Sequence, residues 1–147
     1  MITTDGGHGL RNALEVFYPR IPRQHCWAHK TRNILDKVKK ADQDKIKEDL
    51  HRISHAKNRP SATQAYWSFC QKYRKVYPGA VKSLESEIDD LLSFYQVKLS
   101  VEEREGLDAK EIQKAPMALW RQIRTTKSYR ESVSGSQEKD QTHGRLR

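Results

Sequence analysis

The 147-residue chain carries 28 lysines and arginines against 19 acids, a formal charge of +9, on a length suited to one domain with a core. That excess points to a polyanionic partner, nucleic acid first, with a solvated basic surface as the bland alternative. With only Cys26 and Cys70, no apolar run near the ~20 residues of a membrane span and no charged-then-apolar leader, a disulfide-framed or membrane protein is excluded, and reduced thiols in a cytoplasm are expected.

Ile2-Thr3-Thr4 is a short β-favouring run, and Asp5-Gly6-Gly7 follows it. Leu10, Ala13, Leu14 and Phe17 then keep the spacing of one apolar helical face. The prolines of "YPRIP" end that helix, and "RQHCW" suits a second strand. Ala28 to Val38 reads as a helix with Ile34, Leu35 and Val38 inward and its lysines facing away. Ile46, Leu50 and Ile53 mark the next helix. "RPSATQAYWSFCQKY" marks another, with Ser61 or Thr63 as N-cap and Ala62, Ala65, Tyr66, Phe69, Cys70 and Tyr73 inward. Pro78-Gly79 breaks the chain before one long helix that buries Val81, Leu84, Ile88, Leu91, Leu92 and Tyr95. Beyond Val97 the text is acidic and polar until "PMALW", and "SVSGSQEKDQTHGRLR" lacks periodicity and reads as disordered.

Charge follows the same order. Residues 20–40 hold seven bases and one acid, and residues 57–82 six bases and no acid. Residues 85–111 reverse the sign, with nine acids and three bases, and residues 112–147 return to +5.

Three features could carry chemistry. Asp5, between a strand and a helix with glycines behind it, either caps the helix or holds a divalent metal that needs close approach. Cys26 and His29 stand in Cys-x-x-His spacing beside His25. Zinc needs about four ligands and no second pair is visible, so a buried thiol beside a hydrogen-bonded imidazole is the simpler reading. Arg121 and Arg124, three apart on one helical face, suit a phosphate contact or a solvated face equally well. Lys30 and Arg32 in the first basic block join these two as candidate DNA-binding residues. Trp27 and Trp120 read as core aromatics rather than base-stacking platforms.

Taken in order, these motifs resemble the catalytic region of the Mutator-type bacterial insertion-sequence transposases. "TDGGHGLRNAL", "YPRIPRQHCWAHKTRNILDKV" and "LLSFY" look like that family over most of residues 1–96, and "PMALWRQIRTT" resembles it again at 116–126. The resemblance implies an α/β ribonuclease H-like fragment, predominantly α-helical because of a helical insertion. Residues 1–40 would be a partial catalytic core, 41–120 the helical insertion, and 121–147 the remnant of the catalytic-Glu segment with a disordered tail. It further implies an Asp-Asp-Glu triad that holds two Mg²⁺ or Mn²⁺ ions and cuts and joins DNA strands. Asp5 falls on the second Asp and is thus a metal ligand, and Cys26 and His29 fall on the family's Cys-x-x-His signature. The implied partners are the insertion-sequence ends, target DNA and a transposase oligomer, in the nucleoid of a bacterial cytoplasm and away from membranes.

The chain also departs from that pattern. The family's first Asp lies on a strand upstream of this Met1, and a ribonuclease H-like sheet without its leading strands exposes an edge and a face. An acidic stretch, 97–115, stands where the family runs from "FY" to "LW" within a few residues. After "RTT" the family reads Asn-Pro-Ile-Glu, whereas this chain reads "KSYRES". One extra adenine before codons for Asn-Pro-Ile-Glu-Arg yields Lys-Ser-Tyr-Arg-Glu-Ser, so Lys127 onward reads as out of frame. Glu131 then becomes a displaced third carboxylate, turned by about 100° on a helix. The expectation is a DDE-type transposase fragment, inactive alone. The alternative is a catalytically dead, basic, helical DNA-binding or regulatory protein.

Overall fold

Ile2–Thr4 forms β1 and Arg23–His25 forms β2, paired in parallel with Ile2 opposite Arg23 and Thr4 opposite His25. The coordinates are a computed structural model that describes residues 1–124. Glu131, the tail and the reading-frame argument from Lys127 onward lie outside the described residues. Parallel strands need a crossover, and α1, His8–Phe17, supplies it. Backbone bonds from Ile2 N–H to the Pro22 carbonyl and from Cys26 N–H to the Thr4 carbonyl extend the pairing at both ends.

Helices dominate from there. α2 (Trp27–Leu35) leaves β2 directly, and a 3-10 turn at Lys40–Asp42 leads into α3 (Gln43–Ser54). α4 (Arg59–Tyr73), α5 (Pro78–Glu85) and the single-turn α6 (Ile88–Leu91) follow. After a 3-10 turn at Ser93–Gln96 come α7 (Val101–Arg104) and α8 (Ala109–Ile123). The expected helical character is therefore present beside a small sheet, two-stranded among the described residues.

One apolar cluster joins α2 to α6. Ile46, Leu50 and Ile53 of α3 meet Ala62, Tyr66, Phe69 and Tyr73 of α4, with Ile34, Leu84, Leu91 and Phe94 closing the centre. The helical spacing read from the sequence identifies these buried faces well. At the surface of the α3–α4 contact, Asp49 accepts from the Tyr73 hydroxyl at 2.7 Å and from Lys72 Nζ at 2.5 Å.

Several expectations need correction. The N-cap of α4 is Asn58, not Ser61 or Thr63; its side chain accepts from Ser61 N–H at 2.9 Å. Pro60, which needs no N–H partner in a first turn, starts that helix early, and Thr63 Oγ1 donates to the Arg59 carbonyl inside it. The long helix expected over 78–95 is broken into α5, α6 and a 3-10 turn. Gln24, wholly buried, causes the last break. Its Nε2 donates to the Leu91 carbonyl at 3.0 Å, and its Oε1 accepts from Phe94 N–H at 2.8 Å and from Ser93 Oγ at 2.9 Å. A side-chain amide thus takes backbone groups that a continuous helix would use.

The acidic stretch is also better ordered than its composition suggests. Ser100 with Glu103 and Asp108 with Glu111 form capping boxes that start α7 and α8. Trp120 anchors α8 through Nε1–H to the Val97 carbonyl at 3.0 Å and edge-on contact with Tyr95 at 4.9 Å. The far end of α8 returns to the sheet, where Thr3 Oγ1 donates to the Ile123 carbonyl and Trp27 N–H to that of Arg124.

α1 differs most from expectation. Of its apolar face only Leu14 is buried, while Leu10 is 50 % and Phe17 73 % exposed. The small sheet cannot cover a second apolar surface, so the face read as inward points out. In urea unfolding, Ile53→Ala should cost about 2–5 kcal/mol, the range for emptying a packed core site. Phe17→Ser should change stability by no more than about 0.5 kcal/mol; equal losses would mean that the α1 face is covered.

Candidate functional site

Asp5 stands just past the carboxyl end of β1, exposed, on the turn into α1. It does not cap the helix: Gly7 occupies the N-cap and no side chain caps there. Instead the Asp5 carboxylate accepts from Gly7 N–H at 3.1 Å, which holds the turn and leaves the side chain facing solvent. Gly6 has φ +87°, and a Cβ there would lie 2.2 Å from His25 Cε1. Both facts require glycine. The group approaching this glycine is the imidazole of the neighbouring strand.

That imidazole belongs to a buried charged cluster. His25 Nδ1 lies 2.8 Å from Glu87 Oε2, and Lys30 Nζ lies 2.7 Å from the same oxygen and 3.2 Å from Ser83 Oγ. Burial lowers the His25 pKa; Glu87 opposes that effect, while Lys30 and Arg11 add to it. The shift favours the uncharged ring, and buried His25 Nε2 has no hydrogen-bond partner among the described residues. A second pair, Arg11 Nη2 to Asp90 Oδ2 at 2.9 Å, ties α1 to α6. The Asp5 turn thus rests on residues more than 80 positions downstream, Glu87 and Asp90.

Lys30, expected to face away and contact DNA, is corrected here: it is 3 % exposed. It shares the helix face of Ile34, one turn on, so burying Ile34 carries Lys30 inward, and Glu87 compensates the charge. Cys26 is wholly buried and serves as N-cap of α2. His29, one turn later, is half-buried, and its Nδ1 finds no hydrogen-bond partner among the described residues. No group of three or more His, Cys, Asp or Glu side chains able to hold a metal occurs among the described residues. By themselves, these residues do not fit zinc at Cys26 and His29 or Mg²⁺ or Mn²⁺ at Asp5, which require several ligands.

The arginines behave differently. Arg32 is exposed on α2 and lines a groove of about 570 Å³ between α2 and α3, opposite Lys47, His51 and His55. Arg124 reaches the same edge, its Nη1 donating to the Ser54 carbonyl at 3.2 Å. His51 and His55 stack with ring centres 3.5 Å apart. Burial, then Arg124, His51 and the more distant Arg121, push the His55 pKa down to about 4. Arg32, Arg121 and Arg124, widely separated in sequence, are thereby brought to one region, which Lys30 does not join. Lys47, His51 and His55 escaped sequence reading, although their recurrence every fourth residue is the signal of one helix face.

The amino-acid sequence is similar to those of known transposases. A family model described as "Transposase, Mutator family" matches residues 1–113. The chain is 38 % identical over 122 residues to the transposase for insertion sequence element IST2 of Acidithiobacillus ferrooxidans, covering 83 % of this chain and 35 % of that protein. It is 38 % identical over 96 residues to the transposase for IS905 of Lactococcus lactis, covering 65 % of this chain and 24 % of that one. A third, for IS6120 of Mycolicibacterium smegmatis, is 29 % identical over 92 residues, covering 63 % and 28 %. The chain spans about a third or less of the length of these relatives.

Glu87→Ala strands a buried lysine and should cost about 3–5 kcal/mol, while the apolar pair Lys30→Met with Glu87→Leu should recover most of it. Guanidinium or urea titrations of the three proteins decide this. A second expectation concerns pH. His25 and His55 titrate below the 6.5 of a free imidazole, so the unfolded chain binds protons first as pH falls. Their contribution is complete above about pH 6.5 and is lost as pH falls, for His55 down to about pH 4. Urea midpoints should decline from pH 7 to pH 5, less steeply in His55→Asn; a flat profile would contradict the lowered pKa of both rings.

Proposed function

The chain belongs to the Mutator family of transposases, and on that premise we propose that it is part of a DDE-type insertion-sequence transposase, one that binds DNA through a basic surface. Asp5 is the observation that carries the reading. It is an exposed carboxylate just beyond the end of a parallel strand, the position at which α/β sheets present ligand-binding groups. In this reading β1 and β2 are two strands of a ribonuclease H-like sheet, and α3 to α7 are a helical insertion packed against it. Asp5 is the second carboxylate of the triad, with Mg²⁺ or Mn²⁺ as the cofactor. The described residues offer no site that holds such an ion unaided, so cleavage requires carboxylates supplied from outside them, and the element's ends, target DNA and a transposase oligomer are the partners. Cys26 and His29 act as scaffold: one starts α2 directly behind the buried His25 cluster, and the other lies one turn along.

The lack of a metal-holding cluster among the described residues favours a second reading, in which the polypeptide binds DNA and regulates an intact enzyme without cutting. Supercoiled plasmid with Mg²⁺ or Mn²⁺ tests both. Binding that weakens steeply with salt and no nicking is the expected outcome for this chain alone. Nicking that vanishes in Asp5→Ala would reveal a complete catalytic site, and absence of binding at low salt by a folded sample would sink the DNA reading. Grafting residues 1–113 into the Acidithiobacillus relative then separates part-enzyme from regulator: transposition that depends on Asp5 supports the first, and activity indifferent to Asp5→Ala supports the second.

A further inference from the structure

We infer that the groove between α2 and α3 is a binding track for the sugar–phosphate backbone of duplex DNA, with Arg32, Lys47 and Arg121 as its phosphate contacts. The first argument is uncompensated charge. Arg32, Lys47 and Arg121 make no ion pair among the described residues; most of the described lysines and arginines share that state, and what distinguishes these three is where they stand. On α3 itself the contrast is direct. Arg52 is neutralised by Glu48 and Asp49 on one face, whereas Lys47, His51 and His55 face a groove whose one lining acid is Asp36.

The second argument is convergence. Arg32 comes from the segment after β2, Lys47 from α3, and Arg121 from the end of α8. Arg121 and Arg124 lie close enough to act on His55 electrostatically. Arg32 and Lys47 line one concave surface, and Arg124, with Arg121 one turn before it in α8, stands at its edge beside Ser54. Arg124 is tethered to the Ser54 carbonyl and fixes that border in place. Like charges so gathered repel each other, and a polyanion that tracks the groove relieves the repulsion and releases its own counterions. The stacked rings of His51 and His55 line the same groove.

This inference rests on the DNA reading above, and the experiment keeps the two apart. Fluorescence anisotropy with a labelled duplex is measured across salt concentrations for the wild-type chain. The same titration is run on Arg32→Ala/Lys47→Ala/Arg121→Ala and on the charge-matched control Lys75→Ala/Lys82→Ala/Lys98→Ala. All six side chains are exposed. The groove variant should lose at least about tenfold in affinity at low salt, and its slope of log K against log salt should shallow by roughly 2 to 3, near 0.9 for each phosphate contact removed. The control should keep a slope within about one contact of wild type. A groove variant with the wild-type slope, or a control that loses as much, overturns the track. A wild-type chain that does not bind removes the DNA reading and the track together. Acetylation of lysines with and without duplex, read by mass spectrometry, is independent of any variant's folding: Lys47 should be protected and Lys75 not, and equal labelling overturns the inference.

Discussion

Glu87 sits between Lys30 and His25, one carboxylate oxygen shared by two buried nitrogens, and the arrangement of sheet against helices depends on it. Three-residue strands are marginal by themselves. What holds β2 is the set of groups that reach it from the 83–94 segment, Glu87 to its imidazole and Ser93 and the Phe94 amide to Gln24, while β1 is held by its pairing with β2 and by Thr3 to the Ile123 carbonyl. A buried carboxylate is costly alone and tolerable only when paired and hydrogen-bonded. This requirement fixes how far α5 and α6 can sit from the strands, and it makes the Asp5 turn subordinate to helices remote in sequence.

Such dependence explains what was and was not legible in the amino-acid sequence. Periodicity reports which residues of one helix share a face, so the burial of Ile46, Leu50 and Ile53, and of the α4 face, was readable. It does not report what lies opposite. Lys30 looks like a surface lysine because its partner is 57 positions away, and the α1 stripe looks like a core face although the described residues place little over it. Gln24 is a single polar residue in a strand, yet it ends a helix 67 to 70 positions later. The two capping boxes, by contrast, are local patterns and were available; the acidic composition around Ser100 and Asp108 hid them.

The candidate site divides along the same line. Asp5 and the family to which it points were legible because the order of motifs is a property of the chain. The groove was only half legible. Arg32, Arg121 and Arg124 stood out as bases, but only folding puts α2, α3 and the end of α8 side by side, and Lys47, His51 and His55 joined them through that packing. Basic residues in this protein therefore fall into two physical classes. Some, such as Lys30 and Arg11, are internal counterions that hold elements together; others lack internal partners and face solvent.

The contact between Gly6 and His25 also constrains how the protein can change over generations. Any side chain at position 6 collides with the imidazole, and a smaller residue at position 25 would still leave it strained at a φ of +87°. A smaller residue at 25 also leaves Glu87 with Lys30 alone and opens a void beneath the turn. Neither replacement is favourable by itself, and a change at 25 does not free position 6 from its backbone constraint. Room for variation around the Asp5 turn lies instead at Gly7 and the exposed His8.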